Sequence, residues 1–283
     1  MTSEGSSPAT DRGDGTAPRP HEAALDIDTS VAHVARVYDY WLGGKDNFSA
    51  DRVAGDQAIQ AYPDIVYSVR ANRAFLARTV RYLAAEAGIR QFLDIGTGIP
   101  TANNTHEVAQ SVAPGSDVVY VDNDPVVLTH ARALLVSGEQ GRTNYIDADL
   151  RDTGRILAEA ALTLDFSQPV AIMLMAILQH IDEAEDPNAI VSSLLAAVPP
   201  GSYLTISHPA ADLAAQQMAQ MAERLNKLMA EKVTFRTRAQ VAPFFEGLAM
   251  VEPGLVRVQE WRPDTEMEAK SPAALWGGMG RKA

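Results

Sequence analysis

Residues 91–105, QFLDIGTGIPTANNT, constrain the fold of this chain more than any other stretch. An apolar run, Phe92, Leu93 and Ile95, breaks at Asp94, Gly96, Thr97 and Gly98, and helix-starting chemistry follows at 101–105. In α/β proteins a buried strand that turns through glycines into a helix presents bare backbone N–H groups to a ligand. The flanking sequence must then supply more strands, helices for both faces of the sheet, and a cover for the ligand.

Downstream, the pattern alternates as required. A helix is predicted over 101–113, stopped by Pro114 and Gly115, then an apolar strand over 117–122 that ends in an acid. Asp124 and Pro125 read as an N-cap and a first helical proline, opening a helix to about Ser137. Strands follow at 143–148, 169–175 and 202–207, separated by helices that open at Asp152 and Pro187. A long helix over 210–229 carries Met218, Met221, Leu225 and Leu228 at three- and four-residue spacing. Stretches 248–251, 255–261 and 274–280 read as closing strands able to pair antiparallel. Such alternation builds a mainly parallel sheet with helices on both faces, and its ligands lie where the strand order switches.

Upstream there are only helices: 30–42, ended by Gly43 and Gly44; 49–61; and a long one from Asp64 to Gly88 with Ile65, Val69, Leu76, Val80, Leu83 and Ala87 on its apolar face. The chain thus divides into a disordered arm over 1–27, rich in Ser, Gly, Pro and charge, a helical lid over 28–88, and a ligand-binding domain over 89–283.

Composition removes several functions. A net charge of −12 leaves no electrostatic footprint for nucleic acid. Absence of cysteine excludes disulfides, thiolate catalysis and Cys-ligated metals, and no His, Asp and Glu cluster has metal-ligand spacing, so no metal is expected. No apolar run is long enough to span a membrane, and the first twenty residues lack the apolar core of a signal peptide, so a cytoplasmic location is expected.

The strands end in acids, Asp94, Asp122 and Asp149. Singly, each is an ordinary turn former or N-cap; along one sheet edge they form a constellation. Asp94 would repel a pyrophosphate, Thr101 replaces the third glycine of G-x-G-x-x-G, and no Gly-Lys-Ser/Thr follows as in a P-loop. A cationic ligand without phosphates fits better, and S-adenosylmethionine (SAM) is one. Asp94 would sit near its ammonium, with the loop of Gly96, Thr97 and Gly98 allowing close approach. Asp122, followed by Asn123, would accept the ribose hydroxyls, Asp149 the adenine amine, and the Leu150 N–H would donate to a ring nitrogen. An NAD-dependent oxidoreductase on a Rossmann fold is a second reading, weakened by Asp94 and Thr101. A SAM-binding regulatory protein without catalysis is a third.

The stretches FLDIGTGIPT, VVYVDNDPVVLTHAR and YIDADLRD resemble a class I SAM-dependent methyltransferase. More narrowly, nearly the whole ordered chain is similar to a family rich in actinobacterial sequences and formerly catalogued as a domain of unknown function. The segments VARVYDYWLGGKDNF, RANRAFL, PGSYLTISH and WGGMGRK extend that likeness. The resemblance implies a Rossmann-like, seven-stranded, mainly parallel sheet with its last strand antiparallel. It also implies SAM contacts at Asp94, Gly96, Asp122, Asp149 and Leu150; the expected function is methyl transfer from SAM to an unidentified small-molecule acceptor. Two stretches depart from the family pattern: Pro100 stands where many such enzymes have a glycine, and Leu178 is followed by Gln179 and His180 where a Leu-His-aromatic order is expected.

Methyl transfer from a sulfonium is an in-line displacement, so the protein must mainly position the reactants and exclude water. His180, just past the fourth strand, is the candidate general base, with an ordinary pKa near 6.5 suited to the task; His208 is a weaker one. In the upstream helices Tyr38, Tyr40 and Trp41 could shape an acceptor pocket, with Asn47 beyond the glycine hinge. Arg70, or alternatively Arg73, could hold the methionine carboxylate as a fork. Core packing of the aromatics and solvation of the arginines are the competing readings.

Overall fold

The computed structural model describes residues 28–134 and 141–283. The expected arm over 1–27 and the helix end expected near Ser137 lie outside the described residues. Three helices come first: α1 (Val34–Leu42), α2 (Ser49–Ala61) and α3 (Ile65–Ala85). Gly43 ends α1 at φ +85°. The alternating part runs β1 (Gln91–Ile95), α4 (Thr105–Val112), β2 (Asp117–Asp122), α5 (Pro125–Leu134), β3 (Thr143–Asp147), α6 (Thr153–Ala160), β4 (Ala171–Met175), α7 (Pro187–Ala196), β5 (Tyr203–Pro209) and α8 (Ala215–Leu228). Two short strands, β6 (Leu248–Met250) and β7 (Val256–Arg257), precede the long β8 (Leu275–Lys282).

The strands lie in the order β3-β2-β1-β4-β5-β8-β6, with β7 also paired to β8. The first five are parallel and β8 runs antiparallel to β5. Because β5 occupies one edge of β8 along its length, β6 and β7 are two pieces of a single edge strand, interrupted at 251–255. The expected seven strand positions and the antiparallel last strand follow.

Side-chain alternation divides the sheet between two cores. Leu93, Ile95, Val121, Ile172 and Leu204 face α6 and α7, where Ile156 and Leu194 are completely buried. Phe92, Val118 and Met173 face α3 and α4. Phe75, Val80 and Leu83 of α3 are completely buried, at about 2 kcal/mol each, so α3 is a layer of the sandwich rather than a cover. The cover is α1 with α2, packed on α8 through Val37, Ala54, Ala58, Met221 and Leu225.

Two helices start later than the periodicity suggests. Asn104 accepts the Thr101 N–H and donates its own N–H to Glu107, so α4 begins at Thr105 and 99–104 stay open as a loop. The helix expected from 210 begins at Ala215, because Ala210 bridges to Arg236 and the Ala211 N–H donates to the Arg236 carbonyl.

Candidate active site

The chain leaves β1 toward β2 and β3 on one side and returns to β4 and β5 on the other, so a crevice opens beyond the carboxyl ends of β1 and β4. It forms a cavity of about 900 Å³ including its open mouth. Asp94, Gly96, Thr97, Gly98, Asp122, Asn123, Asp149 and Leu150 all line it, so the structure brings together residues drawn from three strand ends. Val34, Ala35 and Tyr38 of α1 form its roof, together with Glu231 from the segment after α8.

Local chemistry sets this geometry. Gly96 has φ +76°, and a Cβ there would lie 2.6 Å from Ile177. Gly98, at φ +65°, donates its N–H to Asp122 Oδ2 at 2.8 Å, while the Asp124 N–H donates to Asp122 Oδ1 at 3.0 Å. Asp94 points toward the α3–α4 face and accepts the Thr105 hydroxyl at 2.6 Å. Burial pushes the Asp94 carboxyl up to about 6, against the lowering influence of Thr105 and Arg73. Burial also raises Asp122, although two backbone N–H groups oppose it. Asp149 accepts the Arg151 N–H at 2.8 Å and the Asn123 amide at 3.3 Å. Two desolvated carboxylates at one cavity favour a cation or protic groups as ligand.

The arginine choice is corrected. Arg70 is exposed and does not line this cavity. Arg73, turned by roughly 60° on the helix, lines this cavity and donates to the Ala102 and Asn103 carbonyls, both at 3.1 Å. Its Nε is buried without a partner.

His180 lies on the turn after β4 and lines the cavity, but not as a base poised near neutrality. Burial pushes its pKa down to about 4, more than the Glu231 carboxylate, 3.8 Å from Nδ1, can raise it. Gln179 donates to the Ala176 carbonyl at 2.6 Å and places the same amide nitrogen 3.3 Å from His180 Nε2. His208 is structural: Nδ1 meets the Pro209 carbonyl at 2.9 Å, Nε2 meets Arg236 at 3.0 Å, and burial pushes it down to about 3. Arg236, completely buried, also donates to the Leu178 and Ile181 carbonyls and to Glu183, and so holds the turn that carries His180. Sequence reasoning missed both Arg236 and Glu231, because no motif or periodicity marks either.

Tyr38 accepts a hydrogen bond from Asn72 at 3.0 Å and donates to the Val69 carbonyl; Asn72 in turn accepts the Ser207 hydroxyl. Trp41 lines a second, adjoining cavity. Asn47 lines neither: it donates to Asp39 and to the Gly44 carbonyl, closing the turn after α1, so its expected acceptor contact is corrected. Tyr40 is likewise directed to Asp56. Among the described residues no group of three or more His, Asp or Glu is placed to hold a metal ion.

The donor set fits SAM. An unpaired Arg73 Nε suits a carboxylate, Asp94 an ammonium and Asp122 a diol, while no P-loop lysine or third glycine serves a pyrophosphate. A sheet of this order with carboxylates around the glycine turn defines a class I SAM-dependent methyltransferase. The chain belongs to the S-adenosyl methyltransferase family, whose model matches residues 20–283. It is 47% identical to a DUF574 family protein from Streptomyces avermitilis, over 91% of this chain and 100% of that one, with a TM-score of 0.88. It is 41% identical to a putative methyltransferase from Thermobifida fusca, over 93% of this chain and 99% of that one, with a TM-score of 0.85. No curated protein matches it. The protein is a SAM-dependent methyltransferase, and the NAD-dependent alternative is not favoured.

Proposed function

We propose that this enzyme methylates a small molecule and that the strand-end acids hold the methyl donor. Asp94 receives the ammonium, Arg73 the carboxylate, Asp122 the ribose hydroxyls, and Asp149 with the Leu150 N–H the adenine. The observation that carries this reading is the convergence of buried Asp94 and Asp122 with the unpartnered Arg73 Nε on one cavity. SAM supplies an electrophilic methyl group on a sulfonium. The protein's own contribution is to orient and to exclude water: Gly98 fixes Asp122, Thr105 fixes Asp94, and α1 roofs the cavity.

In this reading 89–283 supplies most of the SAM site, and the segment 28–88 adds Arg73 from α3 and the roof from α1. A roof that leaves only the cavity mouth favours a small acceptor over a macromolecule, and a net charge of −12 disfavours nucleic acid. His180 presents a neutral ring, and we assign it to shaping the passage toward the acceptor rather than to storing a proton. The cytoplasmic location expected from the sequence remains part of the proposal; no described helix is long and apolar enough to cross a membrane.

Calorimetry with S-adenosylhomocysteine tests the donor site. Asp122→Ala should weaken binding about tenfold or more, since a diol and two N–H groups lose their acceptor, and an unchanged affinity would refute the assignment. Turnover of SAM should appear with the dialysable fraction of a cell extract; turnover confined to the macromolecular fraction would sink the small-molecule reading.

A further inference from the structure

A second cavity, of about 630 Å³ including its open mouth, adjoins the first, and we propose that it receives the methyl acceptor, an apolar small molecule carrying one hydroxyl or amine. This rests on the methyl-transfer reading above. The two cavities share Val34, Tyr38, Ala176 and His180, so these four residues frame the passage where a methyl group can cross. Beyond that frame the walls come from α1, α3 and α8, chiefly Val37, Trp41, Val69, Met218, Met221 and Leu225. No Asp, Glu, Lys or Arg lines the space. The lining suits an apolar body, and methionines let the chamber adapt to its shape.

Polar groups in the chamber are nearly all committed. The Tyr62 hydroxyl donates to the Pro272 carbonyl, the Trp41 Nε1–H to the Gly55 carbonyl, and Ser68 accepts the Ala274 N–H. Tyr38 is held by Asn72 and the Val69 carbonyl. Gln179 and His180 are the exceptions: the Gln179 amide nitrogen is fixed by the Ala176 carbonyl, leaving Oε1 buried with no partner, and His180 Nδ1 is buried without a hydrogen-bond partner. A buried acceptor without a donor is costly and selects a ligand that brings one. Gln179 lies next to His180, so the donor group of the ligand is drawn to the end of the chamber that meets the SAM cavity. On transfer, a lone pair on the acceptor's oxygen or nitrogen forms the bond to the methyl carbon as the carbon–sulfur bond breaks. The electron pair of that bond stays on sulfur, and the proton released by the acceptor passes to solvent.

Fluorescence titration of the full chain, saturated with S-adenosylhomocysteine, with 2-naphthol and with 2-methoxynaphthalene tests the inference. 2-Naphthol should bind roughly three- to tenfold more tightly than its methyl ether, and Gln179→Met should erase that preference. Met221→Trp and, from another wall, Val69→Phe should each weaken 2-naphthol about tenfold while leaving S-adenosylhomocysteine affinity within about twofold. Retained S-adenosylhomocysteine affinity identifies a folded variant. Unchanged 2-naphthol affinity in a folded filling variant overturns the inference, as does a wild-type enzyme that binds S-adenosylhomocysteine but neither naphthalene. Equal wild-type affinity for the two probes overturns the part assigned to Gln179. Failure of the wild type to bind S-adenosylhomocysteine would instead strike the donor-site reading on which the inference rests.

Discussion

Asp94→Asn should make the ligand-free enzyme more stable while removing most of its affinity for SAM. Asp94 is 3% exposed, and burial lifts the pKa of its carboxyl from 3.8 to about 6. The folded protein therefore holds this proton more tightly than the unfolded chain. The stability that comes with the neutral carboxyl is complete below pH 3.8 and is lost as pH rises through about 6. Full ionisation costs about 3 kcal/mol across that gap. Asparagine keeps the shape, stays neutral and can still accept the Thr105 hydroxyl. Urea unfolding of the ligand-free variant should thus exceed wild type by up to about 3 kcal/mol near pH 7.5 and by about half as much near pH 5. Binding has the opposite sign, because the ionised carboxylate attracts the ammonium. Wild-type affinity for S-adenosylhomocysteine should fall about tenfold per pH unit below about 6, and the variant should bind weakly without that slope. A variant less stable than wild type near pH 7.5, or a wild-type affinity that stays flat between about pH 5 and 7.5, would refute the idea of a desolvated carboxylate matched to a cation.

Other perturbations probe the lid, the turn after β4 and the glycine loop. His33 Nδ1 lies 2.5 Å from Asp124 Oδ2; burial opposes charging of the ring, but the Asp124 hydrogen bond and charge raise its pKa overall. The resulting stability is complete below pH 6.5 and is lost as pH climbs through the raised value. NMR titration should find the His33 pKa lower in Asp124→Asn, and identical values would count against this latch. Arg236→Met leaves the Leu178 and Ile181 carbonyls without their donor and should cost about 3–5 kcal/mol in urea unfolding, with little recovery in Arg236→Lys; a loss below about 1 kcal/mol would contradict the role given to Arg236. Gly96→Ala meets both a left-handed backbone and Ile177, whereas a Cβ on Gly98 meets nothing within 4 Å. Gly98→Ala should therefore cost only about 1–2 kcal/mol and Gly96→Ala distinctly more, part of it restored by Ile177→Ala; equal losses would show that backbone conformation alone decides.

Much of this enzyme is legible in the chain itself, and the legible part is local. Apolar runs ending in acids, the glycine turn after β1 and the proline and glycine stops determine a mainly parallel sheet and the edge on which the candidate site lies. They do so because turn chemistry and side-chain alternation act over a few neighbouring residues. The split of the edge strand into β6 and β7 and the late start of α4 at Thr105 were already less visible, since each depends on which backbone groups find partners. Only the tertiary structure decided the rest. It placed Arg73 at the cavity and Arg70 in solvent, directed Asn47 into its own turn, and lowered His180 far from the value its type suggests. It also seated Arg236 against Leu178, 58 residues earlier, and enclosed the methionine-lined chamber between α1, α3 and α8. Desolvation and orientation arise from groups distant in sequence, so residue type announces which chemistry is available, and packing decides which side chain performs it.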